Sequence, residues 1–223
     1  MDYLEFQPSK KTNGLFLSRL KVVLMTLDHA VFWDRVIQPR ILRMSDRADR
    51  FWSWTFFRTI LVLSQQARGR QGIGLVTMLR ADNGKAIPAA MSMLIDPYFD
   101  FGSAPAWSRD SAFVWFLASA PAEILMSLGV SDPPGLGGVC LDNALVYSVN
   151  AGLLGKIGLH CAAAGGQRLF DFYEDKHLIP LPKGDKLPIR RENDGRFFYT
   201  DTVSANRILS GNSQDRSGRK LRP

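Results

Sequence analysis

The part of this chain best suited to chemistry is a glycine-rich turn in front of a helical stretch. Pro133-Pro134 is followed by Gly135, Gly137 and Gly138, and from Leu141 apolar residues recur at helical spacing. First-turn amides have no intrahelical partner and the helix dipole favours negative charge, so such a start can hold a phosphate. Glycines let the anion approach the backbone closely. On the glycines alone a plain tight turn is the better reading. Two familiar phosphate binders are excluded. No G-x-x-x-x-G-K-[ST] occurs, and Gly135-Leu136-Gly137-Gly138-Val139-Cys140 lacks the third glycine of a dinucleotide fingerprint. The two cysteines, Cys140 and Cys161, form no C-x-x-C, and His160 beside Cys161 reads as neighbouring strand residues on opposite faces. No metal site is expected.

The elements around the loop follow from patterning. "AFVWFLASAP" is a fully apolar strand, buried on both faces. "KIGLHCA" alternates as a strand, and "GGQRLFDFYEDKHL" is a helix burying Leu169, Phe172 and Tyr173. In the helix after the glycines, Leu141, Ala144, Leu145 and Ser148 share one face while Asp142 and Asn143 are polar. Earlier, Asp82-Asn83-Gly84 between two apolar runs signals a hairpin. Residues 15–44 read as helix, from Leu20, Val23, Leu24 and Leu27 at three and four, with an interruption at Pro39. A second helix runs up to Gly69. "LIPLPKGDKLPIRRENDGRFFYTDTV" reads as strands joined by turns. A strand–helix–strand unit implies a parallel crossover, and the hairpins imply antiparallel pairs.

The 223 residues are 46% hydrophobic, a globular composition, and the net charge of +7 favours anionic partners. Part of that excess lies in the tail, where Arg216, Arg219, Lys220 and Arg222 outweigh Asp215. The apolar run from Ala112 to Val130 has the length of a membrane span, but Pro121 and Glu123 interrupt it. No signal-peptide core opens the chain, so a cytoplasmic protein without membrane association is expected.

The stretch "GLGGVCLDNALVYSVNAGLLGKIGLHC" followed by "LFDFYEDKHLIPLP" resembles the second half of the GCN5-related N-acetyltransferase (GNAT) family. Gly135-x-Gly137 falls where the family's R/Q-x-x-G-x-G/A loop ends. "GLLGKIGLHC" resembles its G-x-x-G-[R/K]-[I/V]-x-L passage, and Tyr173 stands at the tyrosine of "FYEKLGF". The resemblance covers residues 112–182, with a weaker match over 72–98 and 195–205. It implies an α/β (α+β) fold: a mixed, mostly antiparallel sheet flanked by helices. Residues 1–70 would be an extended helical N-terminal portion, 71–209 the acetyl-CoA-binding core and 210–223 a basic tail. One departure stands out, since Asp132 occupies the loop's Arg/Gln position.

The implied reaction is acetyl transfer from acetyl-CoA, as co-substrate, to an amine of unspecified identity. Gly135, Leu136, Gly137, Gly138 and Val139 would hold the pyrophosphate with Arg168, and Leu117, Ala118 and Ser119 would lie along the pantetheine. Tyr173 would be the general acid. Glu123, just beyond the strand end, is the first choice of general base, ahead of Asp110 and Asp96. The Trp52/Trp54 pair reads as core ahead of an acceptor pocket. The rivals are a catalytically inactive GNAT-fold binding module, suggested by Asp132, and an enzyme acting on aminoacyl-tRNA, suggested by charge. Nucleic acid is not the favoured partner, because no RNA- or DNA-binding motif is present.

Overall fold

A computed structural model describes residues 19–68, 71–103, 107–187 and 192–211. The expected basic tail falls almost wholly outside the described residues, as do residues 1–18. Among the described residues seven strands form one sheet in the order β1-β2-β3-β4-β5-β7-β6. They are β1 (Leu20–Leu24), β2 (Gln71–Arg80), β3 (Ala86–Tyr98), β4 (Ser111–Ser119), β5 (Ile157–His160), β6 (Ile179–Pro180) and β7 (Phe197–Tyr199). Every neighbouring pair is antiparallel except β4–β5.

The helices are α1 (residues 27–41), α2 (Trp54–Arg68), α3 (Ala122–Ser127), α4 (Leu136–Asn150), α5 (Gly166–Asp175) and α6 (Thr202–Gly211). Thr26 starts α1 with a capping box: its Oγ1 accepts from His29 N at 3.3 Å, and His29 Nδ1 accepts from Thr26 N at 3.2 Å. A π-helical segment, Trp33–Ile37, lies in mid-helix, and the chain continues helically through Pro39 to Ile41. The expected break at Pro39 does not occur. Pro39 opens the last helical segment, where its missing N–H costs least. The Asp34 carboxylate from the π segment accepts from Trp54 N at 2.8 Å and Thr55 N at 3.0 Å, so α1 caps α2.

Two expectations are corrected. Leu20–Leu24 is not helical but an edge strand, registered Leu20↔Leu79 to Leu24↔Leu75. Its buried Leu20 and Val22 alternate with Lys21 and Val23, a period the helical spacing of the same residues masks. The strand-like reading also stops short, because residues 202–211 form α6. Asp201 and Ser204 cap it reciprocally: Ser204 N donates to Asp201 Oδ1 at 2.7 Å, and Asp201 N donates to Ser204 Oγ at 3.0 Å. These bonds, led by the Ser204 amide, hold the Asp201 carboxyl below the usual carboxylate range.

The core has two main parts. Trp33, Ile37, Trp54 and Leu61 pack with Val76, Met91 and Met93. Leu141, Ala144, Leu145, Ala205 and Ile208 pack with Leu75, Leu94, Val114 and Leu159. Successive strand residues such as Leu75/Val76 and Met93/Leu94 divide between the two, so α1–α2 and α4–α6 cover opposite faces. Asp142 and Asn143, polar residues of α4, are buried, and Asn143 Nδ2 donates to Thr77 Oγ1 at 3.1 Å. Among the described residues no helix is long and apolar enough to cross a membrane.

Candidate active site

The site begins where two strands part. β4 pairs with β5 only from Ala112↔Ile157 to Val114↔Leu159, yet with β3 it continues to Ser119↔Ala90. Among the described residues, one edge of β4 therefore has no strand beside it from Trp115 to Ser119. The parting coincides with a bulge. Phe116 pairs Met93 and Val114 pairs Leu94, which leaves Trp115 as the extra residue. On the other side, Arg196 draws the chain away after β5. Its Nε donates to Cys161 O at 2.9 Å, and its Nη2 reaches Cys161 Sγ at 3.0 Å and Gly166 O at 3.1 Å. Cys161 N donates to Arg196 O at 2.8 Å.

A cleft of about 1160 Å³ fills the gap. Its wall includes Trp115–Ser119 and Leu159–His160, the start of α4 at Pro133–Gly137, and Arg168, Leu169, Phe172 and Tyr173 of α5. The α1–α2 loop closes it with Met44, Asp46, Arg47, Asp49 and Trp52. Leu117, Ala118, Ser119, Glu123, Gly135, Leu136, Gly137, Arg168 and Tyr173, expected from sequence to share one site, thus line one cleft. Gly138 and Val139 do not line it. Val139 packs into the core beside α1–α2, and Gly138 faces Lys176. Asp96 and Asp110 lie outside it as well. Asp96 accepts from Tyr147 Oη at 2.9 Å, and Asp110 pairs with Lys156 Nζ at 2.6 Å. Trp52 lines the cleft while Trp54 is fully buried.

The glycines serve different ends. Gly135 is the N-cap of α4, with no side-chain cap and open space where a Cβ would stand. Gly137 packs: a Cβ there would meet Phe172 Cζ at 3.1 Å. Neither they nor Gly138 take positive φ. A Cβ at Gly138 would stand 3.6 Å from Lys176 Nζ, so a cation just past the end of α5 lies at the first turn of α4. Lys176 escaped the sequence reading because only the packing of α5 on α4 brings it there. Its one sequence signal is the i, i+4 step from Phe172, over whose ring its Nζ sits at 5.9 Å. Asp132 is exposed and outside the cleft wall. A helix start without a side-chain cap, an open Gly135 and a cation beside it fit a pyrophosphate, and the unpaired edge of β4 fits an amide-bearing chain.

Titrating groups show what each can do. Burial pushes the Tyr173 phenol well above its usual value; its ring lies 5.5 Å from that of Phe198. Burial also raises the Cys140 thiol to about 12 and raises that of Cys161, so both stay protonated near neutrality. Glu123 is exposed in the first turn of α3. His160 Nε2 lies 3.0 Å from Asp194 Oδ2. Arg47 makes a bidentate pair with Asp49 at 2.8 and 2.6 Å, and its Nη2 donates to Ser119 O at 2.8 Å. Arg168 approaches Asp46 at 3.9 Å, a loose pair in water.

A scan against protein-family models and a search of curated proteins gave no match. Solved structures do match. Spermidine N-acetyltransferase from Vibrio cholerae, seen in complex with CoA and spermine, is 16% identical, covering 85% of this chain and 99% of that one with a TM-score of 0.51. A chimera of the Vibrio cholerae enzyme SpeG and hSSAT is 14% identical, covering 84% and 98% with a TM-score of 0.52. At these identities the likeness is one of fold, and the fold is that of the GNAT acetyltransferases.

Proposed function

We propose that this GNAT-fold chain is an N-acetyltransferase that moves an acetyl group from acetyl-CoA to a primary amine by direct attack. The observation that carries the reading is the gap between β4 and β5, opening beside the start of α4. A protein of this fold seen with CoA supports the choice of co-substrate. The first-turn amides after Gly135, with Lys176 and Arg168, would hold the pyrophosphate; Leu117, Ala118 and Ser119 would offer backbone groups to the pantetheine. Bound acetyl-CoA supplies an activated thioester, so no protein nucleophile is required, and both cysteines are buried and protonated.

Tyr173 is the proton donor in this reading. A phenol starts near 10 and a free thiol near 8.5, so transfer to a departing thiolate is uphill in water. Burial raises the phenol further. It therefore remains protonated near neutrality, and the same dry surroundings would raise the thiol that receives the proton. Glu123 takes the proton of the amine.

Titration calorimetry with acetyl-CoA and CoA tests the reading, followed by thiol release with an amine panel. At a hundred times its Kd, ligand should stabilise the fold by roughly 2.7 kcal/mol. No heat and no thermal shift with any acyl-CoA would remove the assignment.

A further inference from the structure

We propose that the outer side of the α1–α2 junction, together with α3, is a docking surface for an anionic bilayer. The inference stands apart from the acetyl-transfer reading, because it concerns the outside of the molecule and not the cleft. Residues 35–50 carry five arginines against two aspartates. Arg35, Arg40 and Arg43 are exposed, and none of them pairs with a carboxylate among the described residues. The acids nearby are engaged elsewhere. Asp34 caps α2, Asp49 holds Arg47, Asp46 approaches Arg168 and Glu123 lines the cleft. The uncompensated cations favour a partner of negative charge.

Apolar side chains stand among them. Phe51 is 80% exposed, Met126 52% and Leu42 44%. Polar contacts bring the pieces together. Arg50 Nε donates to Leu42 O at 2.7 Å, and its guanidinium lies 5.2 Å from the Phe51 ring. Arg40 Nη1 donates to Ser127 Oγ, which sets Met126 of α3 near the end of α1. Large apolar tips among guanidinium groups match a bilayer surface, where cations meet phosphates and apolar ends reach the acyl boundary. Nucleic acid would use the arginines but gives Leu42 and Met126 nothing to bury against, and Arg50 already covers one face of Phe51. A bilayer also asks for no shape complement. Contact of this kind needs no membrane span, and it runs against the expectation from sequence of a protein without membrane association.

The test is sedimentation of the full chain with vesicles of phosphatidylglycerol and phosphatidylcholine in equal parts, with phosphatidylcholine vesicles and with a mixed-sequence RNA. We expect the mixed vesicles to be bound far more tightly than phosphatidylcholine alone, and less tightly as salt rises. Arg35→Ala with Arg43→Ala should weaken that binding on the order of twentyfold, at roughly fivefold per cation. Phe51→Ser should weaken it about tenfold, and Phe51→Trp should bind as wild type does. All three side chains are exposed, so the melting temperature should hold. No binding to the mixed vesicles overturns the inference, and so does equal binding to phosphatidylcholine alone. Vesicle binding that survives these substitutions places the contact elsewhere, on the basic tail for example, and overturns it too. RNA bound more tightly than the mixed vesicles, with Phe51→Ser without effect, makes the arginines a polyanion site and overturns the bilayer.

Discussion

The pair Arg47–Asp49 should be worth more than an ordinary surface ion pair, and its worth can be worked from the structure. The Asp49 side chain is only 6% exposed and that of Arg47 24%. Arg47→Ala removes a bidentate contact and the bond to Ser119 O, and leaves a carboxylate inside the protein without its cation. Breaking a fully buried pair costs about 3–5 kcal/mol. Partial exposure of Arg47 lets water reach the orphaned charge, so we expect about 2–3 kcal/mol here. For a domain of this size that is a fall in Tm of about 5–10 °C. Asp49→Asn in the Arg47→Ala background should recover about 1 kcal/mol or more, because the amide needs no cation. Urea denaturation of the four proteins closes the cycle. A coupling below about 0.5 kcal/mol would refute the argument, since it would show Asp49 to be as well solvated as a surface residue.

Three further outcomes are expected. Lys176→Ala should weaken acetyl-CoA binding several-fold, and more at low salt than at high, by removing the cation beside Gly138; calorimetry at two ionic strengths reads it. Asp96 is raised above the usual carboxylate range, chiefly by burial and against the Tyr147 hydrogen bond, so the folded state holds its proton more tightly than the unfolded chain. Its stabilising contribution is present below the unfolded value of about 3.9 and is lost as pH rises through the folded value, so Asp96→Asn should be more stable than wild type at pH 7 and lose that advantage at pH 3 in denaturant titrations. Gly155 has φ +78° and a Cβ there would sit 2.8 Å from the Ala205 Cβ, so Gly155→Ala should cost about 2 kcal/mol or more by thermal melting, through strain and displacement of α6.

What could be read in advance was what is local. The turn at Asp82-Asn83-Gly84, with Gly84 at φ +82°, announces its hairpin within the turn residues. The apolar face of α4 and the strand that follows it also carry their own periods. β1 does not, because its register is set by Leu75–Leu79, distant in sequence, and its spacing suits a helix equally well. The candidate site was legible as a set of residues but not as a shape. Gly137 looked like a phosphate contact, yet its missing side chain accommodates Phe172. Arg196, which bends the chain away after β5, carries no motif at all; its role is visible only as a fan of bonds to Cys161 and Gly166.

The single parallel pair in the sheet has a consequence for how the molecule assembles. β2, β3 and β4 follow one another as neighbours, so their pairing closes short loops. β4 and β5 meet only after α3 and α4 have been traversed, and closing that longer loop costs more entropy for three residue pairs of ladder. The meander can thus form early, and the half that carries β5, α5 and β7 is expected to dock late and open first. The cleft lies on this seam. Its ligand would bridge an early-folding half and a late one, and hydrogen exchange should show acetyl-CoA slowing the amides of β5 and α5 far more than those of the β2–β3 hairpin.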